Sequence, residues 1–271
     1  MLTYNSGATL RRALESVKDF DDILLNDGSS TDDTLRIAAE YGARVIMQDA
    51  RLKYPNGRLA DFGAARNQMM GEARYDWYLW LDSDESISKE LRDEIAEVVG
   101  KPVAPGDPLA YRVPLRIIID GRLIKHSSNY PGYQFRFFNR KSGGHLTQPL
   151  HNRVEFNQGT VIGVLKHYWH AYLREADISP FAQNAKAHRR VEIEFACKRS
   201  FLQFLRYTVW WELRAIAGII LRSLYNYARY GFKDSMPVKG EMSRVFSLLR
   251  LIGASSLERI RRAFGYSAFA D

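Results

Sequence analysis

The chain has 271 residues, 46% of them hydrophobic, a single cysteine and a net charge of +8. That length holds one large or two small domains with a real core, and one cysteine (Cys197) excludes an intrachain disulfide framework and fits a reducing compartment. The charge is uneven: 13 Lys/Arg face only 4 Asp/Glu between Lys198 and Arg262, which implies a separate basic surface rather than a nucleic-acid groove built into the main fold.

Met1–Asn5 has neither the basic start nor the apolar stretch of a secretory signal. Leu2–Ser6 reads as the end of a strand and the loop after it, with the body of that strand missing. Leu10, Ala13, Leu14 and Val17 follow helical spacing. Asp22–Leu25 is a short strand, and it ends in Asn26-Asp27-Gly28-Ser29-Ser30-Thr31-Asp32-Asp33-Thr34. Gly28 permits a tight turn there. Ser30 or Thr31 is expected to cap the helix carrying Leu35, Ala38 and Ala39, with Asp32 and Asp33 suited to its N-terminus. Ala43–Met47 is the next strand, Gln48–Leu59 a polar loop, and a helix starts near Asp61 with small residues around Arg66.

Tyr75–Leu81 is apolar or aromatic except for Asp76, and Asp82, Asp84 and Glu85 follow at once. Such a run predicts a strand covered on both faces, as in a parallel sheet. Ligands of these sheets sit beyond the carboxyl ends of the strands, so Asp82 and Asp84 fall at the mouth of a site. Hard oxygen ligands of this kind suit Mg²⁺ or Mn²⁺ beside a phosphate-bearing substrate; a polar turn closing a core strand is the plainer reading. Ser88 is expected to cap a helix burying Leu91, Ile95 and Val98.

Strand and helix alternate to Gly100, which predicts an α/β class with a mostly parallel sheet. After the linker-like Pro102–Pro108 the pattern turns to mixed β: Tyr111–Ile119, a hairpin signal at Asp120-Gly121, Gln134–Phe138, Leu150–Phe156 and Val161–Leu165. From Pro180 the pattern is helical. The division expected is therefore an α/β domain over 1–179 and a basic, amphipathic helical region over 180–271. Within it Phe201–Phe232 pairs Trp210, Trp211, Ile219 and Ile220 with Arg206, Arg214, Arg222 and Arg229. Its longest charge-free run, Ala215–Leu221, is far short of the roughly 20 residues that span a bilayer. It reads either as an interfacial, peripheral membrane element or as a packed helix with a solvated basic face.

Four pieces stand in order: Thr3-Tyr4-Asn5, Asn26-Asp27-Gly28-Ser29, Ala65-Arg66-Asn67 and Asp82-Ser83-Asp84-Glu85. Together they resemble the family 2 glycosyltransferases of GT-A fold. Tyr111-Arg112-Val113-Pro114, Lys125-His126, Tyr130-Pro131, Gln134–Phe138, His167-Tyr168 and Arg229–Asp234 look like the bacterial enzymes that add glucose to the inner-core heptose of lipopolysaccharide. The resemblance implies that Thr3, Tyr4 and Asn5 line the nucleotide site, with Tyr4 against the base. It implies that Asp27 bonds the base, Arg66 the phosphates or base, and Asp82 the ribose or sugar. Asp84, with Asp82, would hold a divalent Mg²⁺ or Mn²⁺. It further implies a nucleotide-diphospho-sugar donor, a glycolipid or saccharide acceptor, inversion at the anomeric carbon, and a cytoplasmic place at the inner face of the membrane.

One departure matters. Related enzymes often carry His-Glu where this chain has His151-Asn152. If that Glu is their general base, an amide does not replace it, and Glu155, His151 and Asp120 are the remaining candidates. Transfer to polyprenyl phosphate, an acceptor that is already an anion, needs no base and is the first rival. A non-catalytic nucleotide-sugar or membrane-binding protein is the second. Nucleic-acid binding is disfavoured, because no recognised motif accompanies the charge.

Overall fold

A computed structural model describes residues 1–54, 57, 59–147, 153–178 and 192–266. The chain divides into two compact units, Met1–Ile117 with Pro131–Tyr172, and Ile118–Tyr130 with Leu173–Asp271. The second unit thus begins at Leu173 and takes in Ile118–Tyr130, a hairpin-bearing segment that sequence reading keeps in the first domain.

The first unit opens with the alternating pattern. Strands β1 (Leu2–Thr3), β2 (Leu24–Asp27) and β3 (Arg44–Met47) form a parallel sheet in that order, with Thr3 opposite Asp27 and Asp27 opposite Met47. Helix α1 (Gly7–Val17) buries Leu10, Ala13, Leu14 and Val17, the residues its spacing selects. Leu10 and Leu14 pack with Leu25 and with Ile37 and Ala38 of α2 (Thr34–Glu40). The face of α2 that is buried is Thr34, Ile37 and Ala38, while Leu35 and Ala39 are exposed. Its cap also differs from expectation. Ser30 and Thr31 are committed elsewhere, and Asp32 accepts the Thr34 N–H instead.

Helix α3 (Phe62–Glu72) is capped by Asp61, whose carboxylate accepts the Ala64 N–H at 2.8 Å, and it buries Gly63, Ala65 and Arg66. The aromatic run yields a shorter strand than predicted, β4 (Trp77–Leu79), and its ladder partner is antiparallel. The reason is long-range: β8 (Tyr133–Asn139) pairs Phe137 with Leu79, and the Trp77 ring stacks on Phe137 with centroids 4.7 Å apart. Directly after Asp84 comes a strand the sequence did not announce, β5 (Glu85–Ile87). Ser88 then caps α4 (Lys89–Val99) as expected, accepting the Leu91 N–H, and Leu91 and Ile95 are buried with Val98 packed partly against them.

The later strands are mixed, as their pattern predicts. Strand β6 (Ala110–Ile119) turns at Asp120-Gly121 into β7 (Arg122–Leu123), pairing Ile119 with Arg122. Both turn residues have positive φ, 47° and 79°, which is the type I′ geometry that suits the twist of a hairpin. Strands β9 (His145–Leu146) and β10 (Val154–Glu155) pair antiparallel, β11 (Ile162–Val164) runs parallel to β6, and β12 (Trp169–Leu173) runs antiparallel to β5. The large sheet has the order β4-β8-β6-β12-β5.

The second unit is chiefly helical: residues 192–198, α5 (Phe201–Phe204), a π-helical turn (Leu205–Trp210), α6 (Trp211–Tyr230) and α7 (Val238–Ala263). Ile216 and Ile219 of α6 pack on Val245 of α7. The Ser127–Ser128 loop is tied to α7 by Glu241, only 1% exposed, which accepts from both serine hydroxyls and from the Ser128 N–H at 2.8 Å. Arg244 donates to the same carboxylate. Glu241→Ala would strand these donors and is expected to cost about 3–5 kcal/mol in equilibrium urea unfolding. A change below about 0.5 kcal/mol, the scale of an ordinary surface substitution, would show that the loop is held by something else.

Candidate active site

Two loops build one wall of the site by bonding to each other. The Thr3 hydroxyl donates to Asp27 at 2.8 Å, and Gly28 N–H donates to the Thr3 carbonyl. Asn5 N–H donates to the Ser30 hydroxyl, while the Asn5 side-chain oxygen accepts the Thr31 N–H. Asp32 of the second loop accepts the Gly7 N–H and so covers an open donor at the start of α1. Asn5 and Ser29 both hold positive φ, 49° and 74°, an uncommon state for residues with a side chain.

Asp27 is fully buried, and its carboxylate accepts from Thr3, the Ser30 hydroxyl and the Ser30 N–H. It organises this corner from within. Gly28 acts through close approach: a Cβ there would lie 3.0–3.2 Å from the Gln48 side-chain oxygen and the Tyr4 side chain. The left-handed residue of the turn is Ser29, while Gly28 keeps an ordinary φ. Tyr4 is 62% exposed beside Gly28, with a ring free to meet a planar ligand.

The carboxylate turn is held from below by a charged core. Asp82 Oδ1 accepts from Arg66 Nη2 at 2.6 Å and from the Trp80 indole at 3.1 Å. Glu85 is gripped by Arg136 through two bonds of 2.6 and 2.9 Å and accepts the Asp82 N–H at 3.0 Å. Arg136 Nη1 also stands 3.8 Å from Asp82. The Arg66 and Arg136 guanidiniums lie 4.0 and 4.8 Å from the Trp80 ring, and Arg136 lies 3.8 Å from Trp169. Burial alone would push Asp82 up, but the charges of Arg66 and Arg136 and the bonds from Arg66 and Trp80 hold it below the usual carboxylate range. Burial pushes Glu85 up to about 7; Arg136 opposes that rise and the nearby Asp82 charge adds to it.

Asp84 differs from Asp82 in every respect. Among the described residues no side chain donates to its carboxylate, which is exposed. Its backbone is fixed: Arg12 Nη2 donates to its carbonyl at 2.9 Å, and the Arg12 guanidinium lies 3.5 Å over the Tyr172 ring. Desolvation within the cleft, and then the Asp82 charge, raise its carboxyl above the ordinary value. Asn5, Ser6, Arg66, Asp82 and Asp84 line one cleft of about 440 Å³. A second, apolar cavity of about 140 Å³ shares only Leu2 and Arg66 with it and has few groups that a diphosphate needs.

Two features bear on what the cleft could hold. Arg66 is 8% exposed, and its Nε and Nη1 are buried with no partner, two donors awaiting an acceptor. Asp84 is an unpaired carboxylate whose raised pKa a cation would relieve. Among the described residues no three His, Cys, Asp or Glu side chains come together to hold a metal. A cation held there would take Asp84 and complete its shell with ligand oxygens and water, as Mg²⁺ commonly does. Asp82 fits a ligand role less well, because Arg66 and Trp80 already occupy one of its oxygens.

Two of the three candidate bases are among the described residues. Glu155 is exposed on β10, with Thr147 donating to it at 3.4 Å. Its hairpin is docked on α3 by Asn67, whose amide accepts the Leu146 N–H and donates to the Leu146 carbonyl, both at 2.9 Å. Asp120 belongs to the second unit, where its carboxylate accepts the Glu175 N–H. His151 lies outside the described residues, as does Asn152. Sequence reasoning missed Arg12, Trp80, Arg136 and the buried role of Glu85. Arg136 left a signal, a lone charge inside the apolar run Phe135–Phe138; Arg12, on the polar face of α1, left none.

The profile described as Glycosyl transferase family 2 matches residues 1–169. The Rickettsia typhi protein named "Uncharacterized glycosyltransferase RT0209" is 25% identical over 276 residues, covering 96% of this chain and 86% of its own length. "Uncharacterized glycosyltransferase RP128" of Rickettsia prowazekii is 30% identical over 162 residues, 58% of this chain and 52% of its own length. Among solved structures, the mannosyltransferase PcManGT of Pyrobaculum calidifontis, in complex with GDP-Man and Mn²⁺, aligns over 96% of this chain and 85% of its own at 14% identity, with a TM-score of 0.49. The family match takes in the whole cleft, from Leu2 to Asp84: the chain belongs to glycosyl transferase family 2, and is a glycosyltransferase of α/β, GT-A-type fold.

Proposed function

We propose that the chain moves a hexose from a nucleotide-diphospho-sugar, UDP-glucose-like in kind, to a glycolipid or lipopolysaccharide-core-type saccharide, with inversion at the anomeric carbon. One observation carries the reading: of two carboxylates two residues apart, Asp82 is bound to Arg66 while Asp84 stands unpartnered in the cleft. Tyr4 stacks on the base beside Gly28, and Thr3, Asn5 and Asp27 shape the nucleotide side. Arg66 gives its two open N–H groups to the diphosphate, and Asp82 keeps Arg66 aimed while its other oxygen remains for the ribose or sugar. Mg²⁺ or Mn²⁺ held by Asp84 would neutralise charge on the departing diphosphate.

In the reaction the acceptor hydroxyl gives its proton to a base, and its oxygen bonds to the anomeric carbon. The bond from that carbon to the diphosphate breaks, and the nucleoside diphosphate leaves with the electron pair. Glu155 is the base we favour, because it is exposed in the same compact unit as the cleft and Asn67 fixes its hairpin to the helix that carries Arg66. Asp120 is occupied at a hairpin tip, and His151 stands as the other candidate. The place of action is the cytoplasmic face of the membrane, with the basic C-terminal region in peripheral contact. Nucleic acid is not a partner in this reading.

Asp84→Asn is expected to abolish the Mn²⁺-dependent thermal shift given by a nucleotide sugar, while urea stability without ligand changes by less than about 0.5 kcal/mol. Asp82→Ala should do the opposite in part. It strands Arg66 and costs about 2–4 kcal/mol, less than a fully buried pair because Asp82 keeps some solvent contact. Equal stability losses in both variants would sink the division of roles.

Glu155→Gln is expected to lower turnover roughly a hundredfold with donor affinity kept, the scale of a lost general base. Full activity in that variant, together with a large loss in Asp120→Asn, would move the role to Asp120.

A further inference from the structure

Helix α6 carries apolar residues on more than one side, and among the described residues only one side is packed. Ile216 and Ile219 pack on α7. On the side left open beside them Leu213, Leu221 and Leu224 are 45%, 67% and 61% exposed. At about 3.6 residues per turn these positions recur along one side of the helix.

The π-helical turn extends that side. Its wider winding rotates the preceding turn, so that Phe204 stays inside while Leu202, Leu205 and Trp210 emerge. In an unbroken α-helix Leu205 would fall on the covered face. Arg206, Arg214 and Arg229, all exposed, lie along one flank of the resulting stripe. Arg222, grouped with them on sequence grounds, is exposed as well, but its guanidinium is engaged and donates to the Ser128 carbonyl at 3.2 Å. Among the described residues no helix is long and apolar enough to cross a membrane.

We propose that this stripe is the surface on which the protein docks to an anionic lipid bilayer, with α6 lying in the interface. The proposal rests on the peripheral-membrane part of the reading above and not on the donor chemistry. Charge selects the occupant. A row of arginines, in a region holding 13 Lys/Arg against 4 Asp/Glu, complements anionic headgroups and repels a second copy of itself. Trp210 on the stripe and Tyr225 at its edge, 63% and 61% exposed, are rings of the kind that settle at headgroup depth.

The test is sedimentation of the full chain with phosphatidylcholine vesicles, with and without phosphatidylglycerol. Binding is expected only to the anionic vesicles and should be released by high salt without detergent. Two variants, Leu213→Ser with Leu221→Ser and Leu224→Ser, and Arg206→Gln with Arg214→Gln and Arg229→Gln, should each bind at least roughly tenfold more weakly. Their circular dichroism and their Mn²⁺-dependent thermal shift with nucleotide sugar should be unchanged, which separates this proposal from the donor reading. In the unsubstituted chain, brominated lipid should quench tryptophan emission, and Trp210→Phe should remove most of that quenching. Equal binding to neutral vesicles, binding that survives the leucine changes, or no binding at all would overturn the proposal. So would a dimer in solution that the leucine changes dissociate, since the stripe would then belong to a second copy.

Discussion

Two interlocked ion pairs set the first unit: Arg66 with Asp82, and Arg136 with Glu85. Arg66, Arg136 and Glu85 are buried, so each carries a desolvation cost that only close, well-directed partners offset. The set holds two positive and two negative groups, and two indoles cover the guanidiniums. The function of this arrangement is positional. Glu85, clamped by Arg136, accepts the Asp82 N–H and closes the turn, while Arg12 takes the Asp84 carbonyl. Asp84 is thereby the one member of the acidic run left with an unengaged carboxylate at a fixed place. A site meant to receive a charged ligand needs such a group rigid before the ligand comes.

The nucleotide side follows the same logic with neutral groups. Asn5 and Ser29 sit in a backbone region that ordinarily costs free energy, and the surrounding bonds keep them there. Asp27 is at the centre of those bonds, so its loss would be felt first in the shape of the loops. Tyr4 packs closely beside Gly28 and stays exposed. The corner thus presents a ring and backbone amides on a frame that is already folded.

Much of this was legible where the signal is local. The buried faces of α1 and α4, the Ser88 cap and the Asp120-Gly121 hairpin all come from spacing or turn chemistry within a few residues. The partner of β4 was not, because its pairing with β8 joins positions some 60 residues apart and depends on a Trp77–Phe137 stack. Asp82 and Asp84 are the same residue type in one motif, so sequence alone treats them alike. They part because Arg66, 16 residues upstream, and the Trp80 indole reach only one of them. The amphipathic tail was visible in composition, yet its outer stripe depends on a π-helical turn that no residue pattern between Leu205 and Trp210 announces.

The central claim is that Asp84 alone meets the metal while Asp82 remains with Arg66. The most direct measurement is a crystal structure of the protein with UDP and Mn²⁺, the metal placed by its anomalous signal. The account predicts Mn²⁺ on an Asp84 oxygen and the diphosphate, with the Arg66–Asp82 bond intact and the Arg66 Nε and Nη1 donors on phosphate. Mn²⁺ bound by Asp82 with Arg66 released, or bound away from both carboxylates, would contradict it.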